Sequence, residues 1–240
     1  MSGRGRWALG FLICGLLSAL WGGSVPAASS EDAVRAAFAE LLGGPPVLHV
    51  EAVPDLHEGM YARISLYAQR ARIAGLRVDH LWVRLRGVTL DPAELGRGAL
   101  RVLSYREAAL HTLVGLRSIE EFLARNPDVE EVRLEVDRGL IAGRGVVRMR
   151  GIPVRVGMVV GFEAVGTPAV YVRVHALRVN GIPLPPAAVA EFERRINPLL
   201  NMVEWPVSVR IRSVRITPTH VVLTTLRHPM DPCDFCQTLP

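Results

Sequence analysis

The stretch that decides the fold runs from Ala169 to Thr225: AVYVRVHALRVNGIPLPPAAVAEFERRINPLLNMVEWPVSVRIRSVRITPTHVVLTT. Both ends alternate apolar and polar side chains with a period of two, the pattern of half-buried strands. Val170, Val172 and Val174 share one face, after which Leu177 and Val179 fall on the other parity. The same slip separates Val207, Val209 and Ile211 from Val214 and Ile216. One-residue slips are what β-bulges produce, and bulges bend and coil a sheet. Between the strands, Pro186 stands at the helical position that tolerates proline. Val189, Phe192 and Ile196 form the apolar stripe of that helix, Asn197-Pro198 breaks it, and Leu199, Leu200 and Met202 make an apolar exit.

Upstream, Ser30 with Glu31 and Asp32 reads as a helix start, Val34, Phe38, Leu41 and Leu42 recur at helical spacing, and Gly43-Gly44-Pro45-Pro46 stops the run. The period then changes to two. Ile64, Leu66 and Ala68 lie opposite Arg63, Ser65 and Tyr67, Gly75 turns the chain, and Leu81, Val83 and Leu85 lie opposite Trp82, Arg84 and Arg86. Asp91-Pro92 ends this hairpin. Ala109 to Val114 reads as extended. Ser118-Ile119-Glu120-Glu121 has the form of a capping box, opening a helix with Ile119, Phe122 and Leu123 inward that ends by Asn126-Pro127. Three strands follow. Val132, Leu134 and Val136 alternate in the first, and Val147 and Met149 in the second. In the third, Ile152, Val154, Val156, Met158, Val160 and Phe162 share a face, opposite Gly157 and Gly161, which predicts a bent strand. Gly87 to Leu95 and Gly181 to Val189 echo one another, and Gly151-Ile152-Pro153-Val154 repeats the opening of that echo. Two strand–turn–helix units on one plan fit this repetition.

The first 27 residues differ in kind. Arg4 and Arg6 precede an uncharged run from Trp7 to Leu20, and Val25-Pro26-Ala27 offers small residues for cleavage. This is the layout of a secretory signal peptide, with an uncleaved N-terminal anchor in the inner membrane as the alternative. Cys14 follows Ile13, too bulky for a lipoprotein cleavage site. Residues 28–226 then form a single domain, with two similar halves as one possibility, and 227–240 a tail. Within the tail, Cys233 and Cys236 fit a short disulfide outside the cytoplasm, and their spacing to His220 and His228 matches no zinc module.

The chain carries 28 basic and 23 acidic residues, a formal charge of +5, and every basic residue is arginine. Guanidinium groups grip phosphate well, although a compositional bias of the genome explains the same fact. Basic clusters with interleaved aromatics are missing, which argues against nucleic acid. A nucleophile elbow, paired carboxylates, a His-Glu metal helix and a phosphate-cradling glycine loop are also missing, so no enzyme, metal or cofactor is expected.

Several segments of the second half resemble the LmeA-like phospholipid-binding family of exported bacterial envelope proteins. They are Val179-Asn180-Gly181-Ile182-Pro183-Leu184-Pro185, the helix ending Ile196-Asn197-Pro198-Leu199-Leu200, and Trp205-Pro206 ahead of Val209-Arg210-Ile211-Arg212-Ser213-Val214-Arg215-Ile216. The strand from Val78 to Leu90 and the short helix from Ser118 fall where the family places comparable elements. The resemblance covers roughly residues 50–226. It implies an α+β fold in which a long, strongly coiled antiparallel sheet wraps on a few helices, similar to tubular lipid-binding folds, and it implies a phospholipid ligand.

On this reading the aliphatic faces line a groove for acyl chains. They comprise Ile64 and Leu66; Leu81, Val83 and Leu85; Val132, Leu134 and Val136; Val154, Val156, Met158, Val160 and Phe162; Val172 and Val174; Phe192 and Ile196; Val209 and Ile211. An ordinary packed core has the same alternation. Opposite these faces stand Arg84, Arg86, Arg148, Arg150, Arg155, Arg173, Arg210 and Arg212, which suit either an anionic membrane surface or plain solvent. A non-catalytic envelope assembly protein that docks through its sheet is the competing expectation. A continuous tunnel or groove favours the first reading and a filled core the second.

Overall fold

The computed structural model describes residues 30–226 except 74, 150, 165, 167, 204 and 208. The apolar N-terminal run and the Cys233/Cys236 pair lie outside the described residues. In chain order the elements begin with α1 (Ser30–Leu41), β1 (Val47–Pro54), β2 (Met60–Ile73), β3 (Leu76–Leu90), α2 (Pro92–Gly96), β4 (Val102–Ser104) and β5 (Glu107–Gly115). Next come α3 (Leu116–Leu123), β6 (Val129–Asp137), β7 (Leu140–Met149), β8 (Ile152–Glu163), β9 (Ala169–Val179) and β10 (Ile182–Pro183). The last are α4 (Pro186–Ile196), β11 (Leu200–Asn201), β12 (Ser213–Ile216) and β13 (His220–Thr224).

The fold is α+β and its strands pair antiparallel, but they form two sheets and not the one long sheet expected. Sheet A has the order β1-β2-β3-β5-β13-β12, with β4 beside β3. Sheet B has the order β10-β9-β8-β7-β6, with β11 beside β9. Sheet B, built from β6 to β11, is inserted in sequence between β5 and β12 of sheet A. The return of β13 to β5, register Val221 opposite Val114, closes sheet A across more than a hundred residues.

One core joins the sheets. Ile64, Leu66, Leu81, Val83 and Leu85 from sheet A are at most 2% exposed, and Ile141, Val160, Val170 and Val172 from sheet B share the same cluster. Helix α1 adds Val34 and Phe38. The predicted bulge in β9 is present: Ala176 lies opposite Val159 but Val174 opposite Val160, leaving His175 as the extra residue.

Two local expectations are corrected. Val207, Val209 and Ile211 alternate because they are buried in the core, not because they pair in a ladder; β12 begins only at Ser213. The capping box at Ser118 is not formed either. Helix α3 starts at Leu116 with Gly115 as its N-cap. Ser118 Oγ instead donates to Asp79 Oδ1 at 2.9 Å, and Glu120 Oε1 accepts from the Leu134 amide at 2.7 Å. Glu121, the acid of the expected box, is paired with Arg77 of β3 at 3.2 Å.

Candidate functional site

The contacts of Ser118 and Glu120 explain the position of α3. Ser118 ties it to sheet A and Glu120 ties it to sheet B, so the helix straddles the open end of the core. A polar cluster strengthens the first tie. Asp79 Oδ2 lies 3.4 Å from His220 Nε2, Thr219 Oγ1 lies 2.8 Å from His220 Nδ1, and Arg77 Nε donates to Ser118 Oγ at 3.3 Å. Serine, aspartate and histidine are all present, but the carboxylate stands between the hydroxyl and the imidazole. The imidazole therefore does not reach the hydroxyl, as a histidine-activated serine requires.

The opposite wall is built by the chain after α4. Asn197 closes that helix and bonds the edge of β9 twice. Its Oδ1 accepts from the Val172 amide at 2.7 Å, and its Nδ2 donates to the Val172 carbonyl at 2.9 Å. Glu193 accepts from the Val174 amide at 3.1 Å and from Arg173 at 2.9 Å. The backbone bond from Val174, followed by Arg173, holds its carboxyl below the usual carboxylate range although partial burial opposes this. The chain then runs along the β9 edge, where the Leu199 amide donates to the Val170 carbonyl at 2.9 Å. Leu199 and Leu200 are thereby delivered over the end of the core.

Between these walls is an apolar cleft of about 130 Å³. Its lining comes from Ile73, Leu76 and Val114 of sheet A with Val221 and Leu223, from Phe162 and Val170 of sheet B, and from Ile119, Phe122, Leu123, Leu199 and Leu200. A recess of about 20 Å³ continues it inward past Val78, Leu110, Met202 and Ile211. The recess touches one polar side chain, Thr112, whose hydroxyl is engaged with the His80 carbonyl at 2.9 Å. Among the described residues no ionisable side chain lines either space. At the mouth, Phe122, Leu123 and Leu199 are 37%, 37% and 52% exposed. Large apolar side chains left exposed around an opening mark a binding site more often than a solvated surface.

A cleft of 130 Å³ is smaller than the roughly 300 Å³ that begins the range for whole drug-sized ligands. A space of this size takes only part of such a molecule. It is also a cleft at one end of a packed interior, where the tubular resemblance implies a passage along its length.

Of the residues expected to line a groove, Phe162 lines the cleft and Ile211 the recess. Ile64, Leu66, Leu81, Val83, Leu85, Val160, Val172 and Val209 are buried in the closed core, and Leu134, Val136, Met158, Val174 and Ile196 pack against it half-buried. Val132 is buried outside that cluster, and Val154, Val156 and Phe192 are half-buried beyond it. The expected list omits most of the cleft. The signal available for it is that each of two Asn-Pro breaks adjoins an apolar pair, Phe122-Leu123 before one and Leu199-Leu200 after the other.

The other face of sheet A carries a file of rings. His49 stacks on Tyr67, Tyr67 on His80, and His80 on Trp82, with Trp82 tilted against His111 at 5.4 Å. Tyr67 Oη lies 2.9 Å from His80 Nδ1 and accepts from Gln69. Burial lowers the pKa of His111, and the Arg215 charge lowers it further.

Two antiparallel sheets closing on an apolar cleft define a β-rich α+β protein. Residues 25–225 match the family described as LmeA-like phospholipid-binding, and the chain belongs to that family. No curated protein and no solved structure matches the chain.

Proposed function

We propose that this protein is an exported, non-catalytic carrier that holds phospholipid by an acyl chain in the cleft between α3 and Leu199-Leu200, taking it from a membrane surface of the cell envelope. The observation that carries the reading is the all-hydrocarbon lining with its exposed apolar mouth, in a chain of a phospholipid-binding family. Export is supported by Arg4 and Arg6 ahead of the uncharged Trp7 to Leu20 run. The test is mass spectrometry of the full chain under native conditions, followed by solvent extraction of whatever co-purifies. Recovery of phospholipid, and uptake of a fluorescent phospholipid by the stripped protein, is the expected result. A protein that carries none and takes up none overturns the proposal.

A further inference from the structure

The far end of sheet B carries features the cleft does not use. The turns before β8 and before β10 are both Gly-Ile-Pro, at Gly151-Ile152-Pro153 and Gly181-Ile182-Pro183. Ile152 and Ile182 are 66% and 68% exposed, among the most exposed large apolar side chains described. The register puts both on one face near this end, with Ile182 level with Val156 and so four residues, roughly 13 Å, behind Ile152 along the strands. Ile182 lies opposite Val179, Val179 opposite Val156, and Ile152 is on the same face of β8 as Val156. Both isoleucines therefore project from one end and one face of the sheet.

The opposite face at this end is cationic. Arg133 pairs with Arg144, Arg144 with Gly157, and Gly157 with Arg178, forming one row across β6, β7, β8 and β9. Arg155 lies two residues nearer the tip. Like charges set opposite one another across strands are destabilising, and this row keeps them. Arg133, Arg155 and Arg178 form no ion pair with a described carboxylate, while Arg144 meets Glu135 at 3.2 Å and Arg148 meets Glu130 at 2.7 Å. Glu131 is the remaining acid beside the row. Arg173, at the other end of β9, is doubly paired with Glu163 and Glu193. Within sheet B the arginines without an ion pair thus lie toward the isoleucine end, around an open concavity of about 290 Å³ where a Cβ on Gly157 would meet nothing.

We infer that this end of sheet B is a docking surface for an anionic phospholipid bilayer, with Ile152 and Ile182 entering the acyl boundary and Arg155 and Arg178 meeting lipid phosphates. Arg155 is three residues from Ile152, roughly 10 Å along the strand. Interfacial segments bury apolar side chains by about 5–10 Å, which brings Arg155 to the head-group level. Ile182 and Arg178 lie farther back on β10 and β9, so both isoleucines reach the bilayer when the sheet meets it tilted toward its β10 edge, which also lowers Arg178 toward the head groups. The apolar face of β8 runs from Ile152 through Val154, Val156 and Met158 to Phe162 in the cleft, roughly 33 Å at strand rise. The inference rests on the lipid-binding reading for the identity of the partner, and it gives that lipid an aliphatic track between bilayer and cleft.

The test is hydrogen exchange of the full chain, alone and with vesicles of phosphatidylcholine and phosphatidylglycerol at 3:1 or of phosphatidylcholine alone. The expected result is slowed exchange in the peptides spanning both Gly-Ile-Pro turns with anionic vesicles. I152S/I182S abolishes that local protection. R155Q/R178Q lowers vesicle affinity by about twentyfold or more, at roughly fivefold for each cation near an anionic surface, and removes the preference for phosphatidylglycerol. Unchanged exchange at both turns with either vesicle overturns the inference. So does protection that rises with protein concentration in the absence of vesicles, because it identifies a second copy as the occupant. Phospholipid content of the same variants is measured in parallel. Tip variants that keep their bound lipid but lose vesicle protection separate this surface from the cleft, and tip protection in a chain that binds no lipid leaves docking standing while the carrier reading fails.

Discussion

Replacing Val221 with phenylalanine tests the cleft directly. Val221 sits on β13 in the cleft wall, 5% exposed, opposite Val114 of β5. At about 24 cal/mol per Å³ of apolar void, a space of 130 Å³ corresponds to about 3 kcal/mol when empty. That figure is an upper bound because the mouth is open. An acyl chain that fills the space recovers up to this amount, equivalent to about two hundredfold in affinity. The phenyl ring of V221F occupies the same room from within the protein. Bound phospholipid should fall, and the dissociation constant of a fluorescent phospholipid should rise by up to two orders of magnitude. Stability should change by no more than about 1 kcal/mol, because the ring enters vacant space and not a packed layer. Lipid titration and urea unfolding of the stripped protein measure the two quantities. An affinity within threefold of wild type refutes the cleft as the tail site. A stability loss of about 3 kcal/mol with unchanged lipid content refutes the claim that space is vacant there.

Gly115→Ala places a Cβ 2.3 Å from Asp79 Oδ2, so the carboxylate must leave Ser118 and His220; urea unfolding should show a loss of about 1–3 kcal/mol, largely relieved when Asp79→Ser is combined with it. His111 supplies a pH signature. Its folded pKa lies below the ordinary value of 6.5, so between the two values the unfolded chain binds the proton that the folded chain refuses. Its effect is nil above about pH 6.5, and stability is lost as pH falls from there toward the folded pKa. H111L should flatten that decline in urea midpoints between pH 5 and 8, and an unchanged slope would show that burial of this imidazole does not control it.

Much of the fold is legible in the residues because its signals are local. Alternation identifies β2, β3, β6 and β8, Pro186 and Asn197-Pro198 bound α4, and the parity slip after Val174 marks the bulge at His175. Each depends on neighbours a few positions away. The family resemblance, carried by the order of such elements, also stands. Ser118 shows where local signals fail. The spacing Ser118 to Glu121 satisfies a cap rule, but Ser118 is bonded to Asp79 and Glu121 is paired with Arg77, both in β3.

The sequence by itself therefore determined which side of the long strands is apolar and where α1 and α4 begin and break. It did not determine which apolar residues meet a packed layer and which meet a space. Leu85 and Val114 are both apolar strand residues, yet Leu85 is sealed in the core and Val114 faces the cleft. Only the tertiary structure separates them, because the difference lies in what the other sheet, α3 and the Leu199-Leu200 segment bring opposite. Periodicity reports how a residue faces, whereas a cavity is set by long-range packing of elements whose own sequences carry no record of one another.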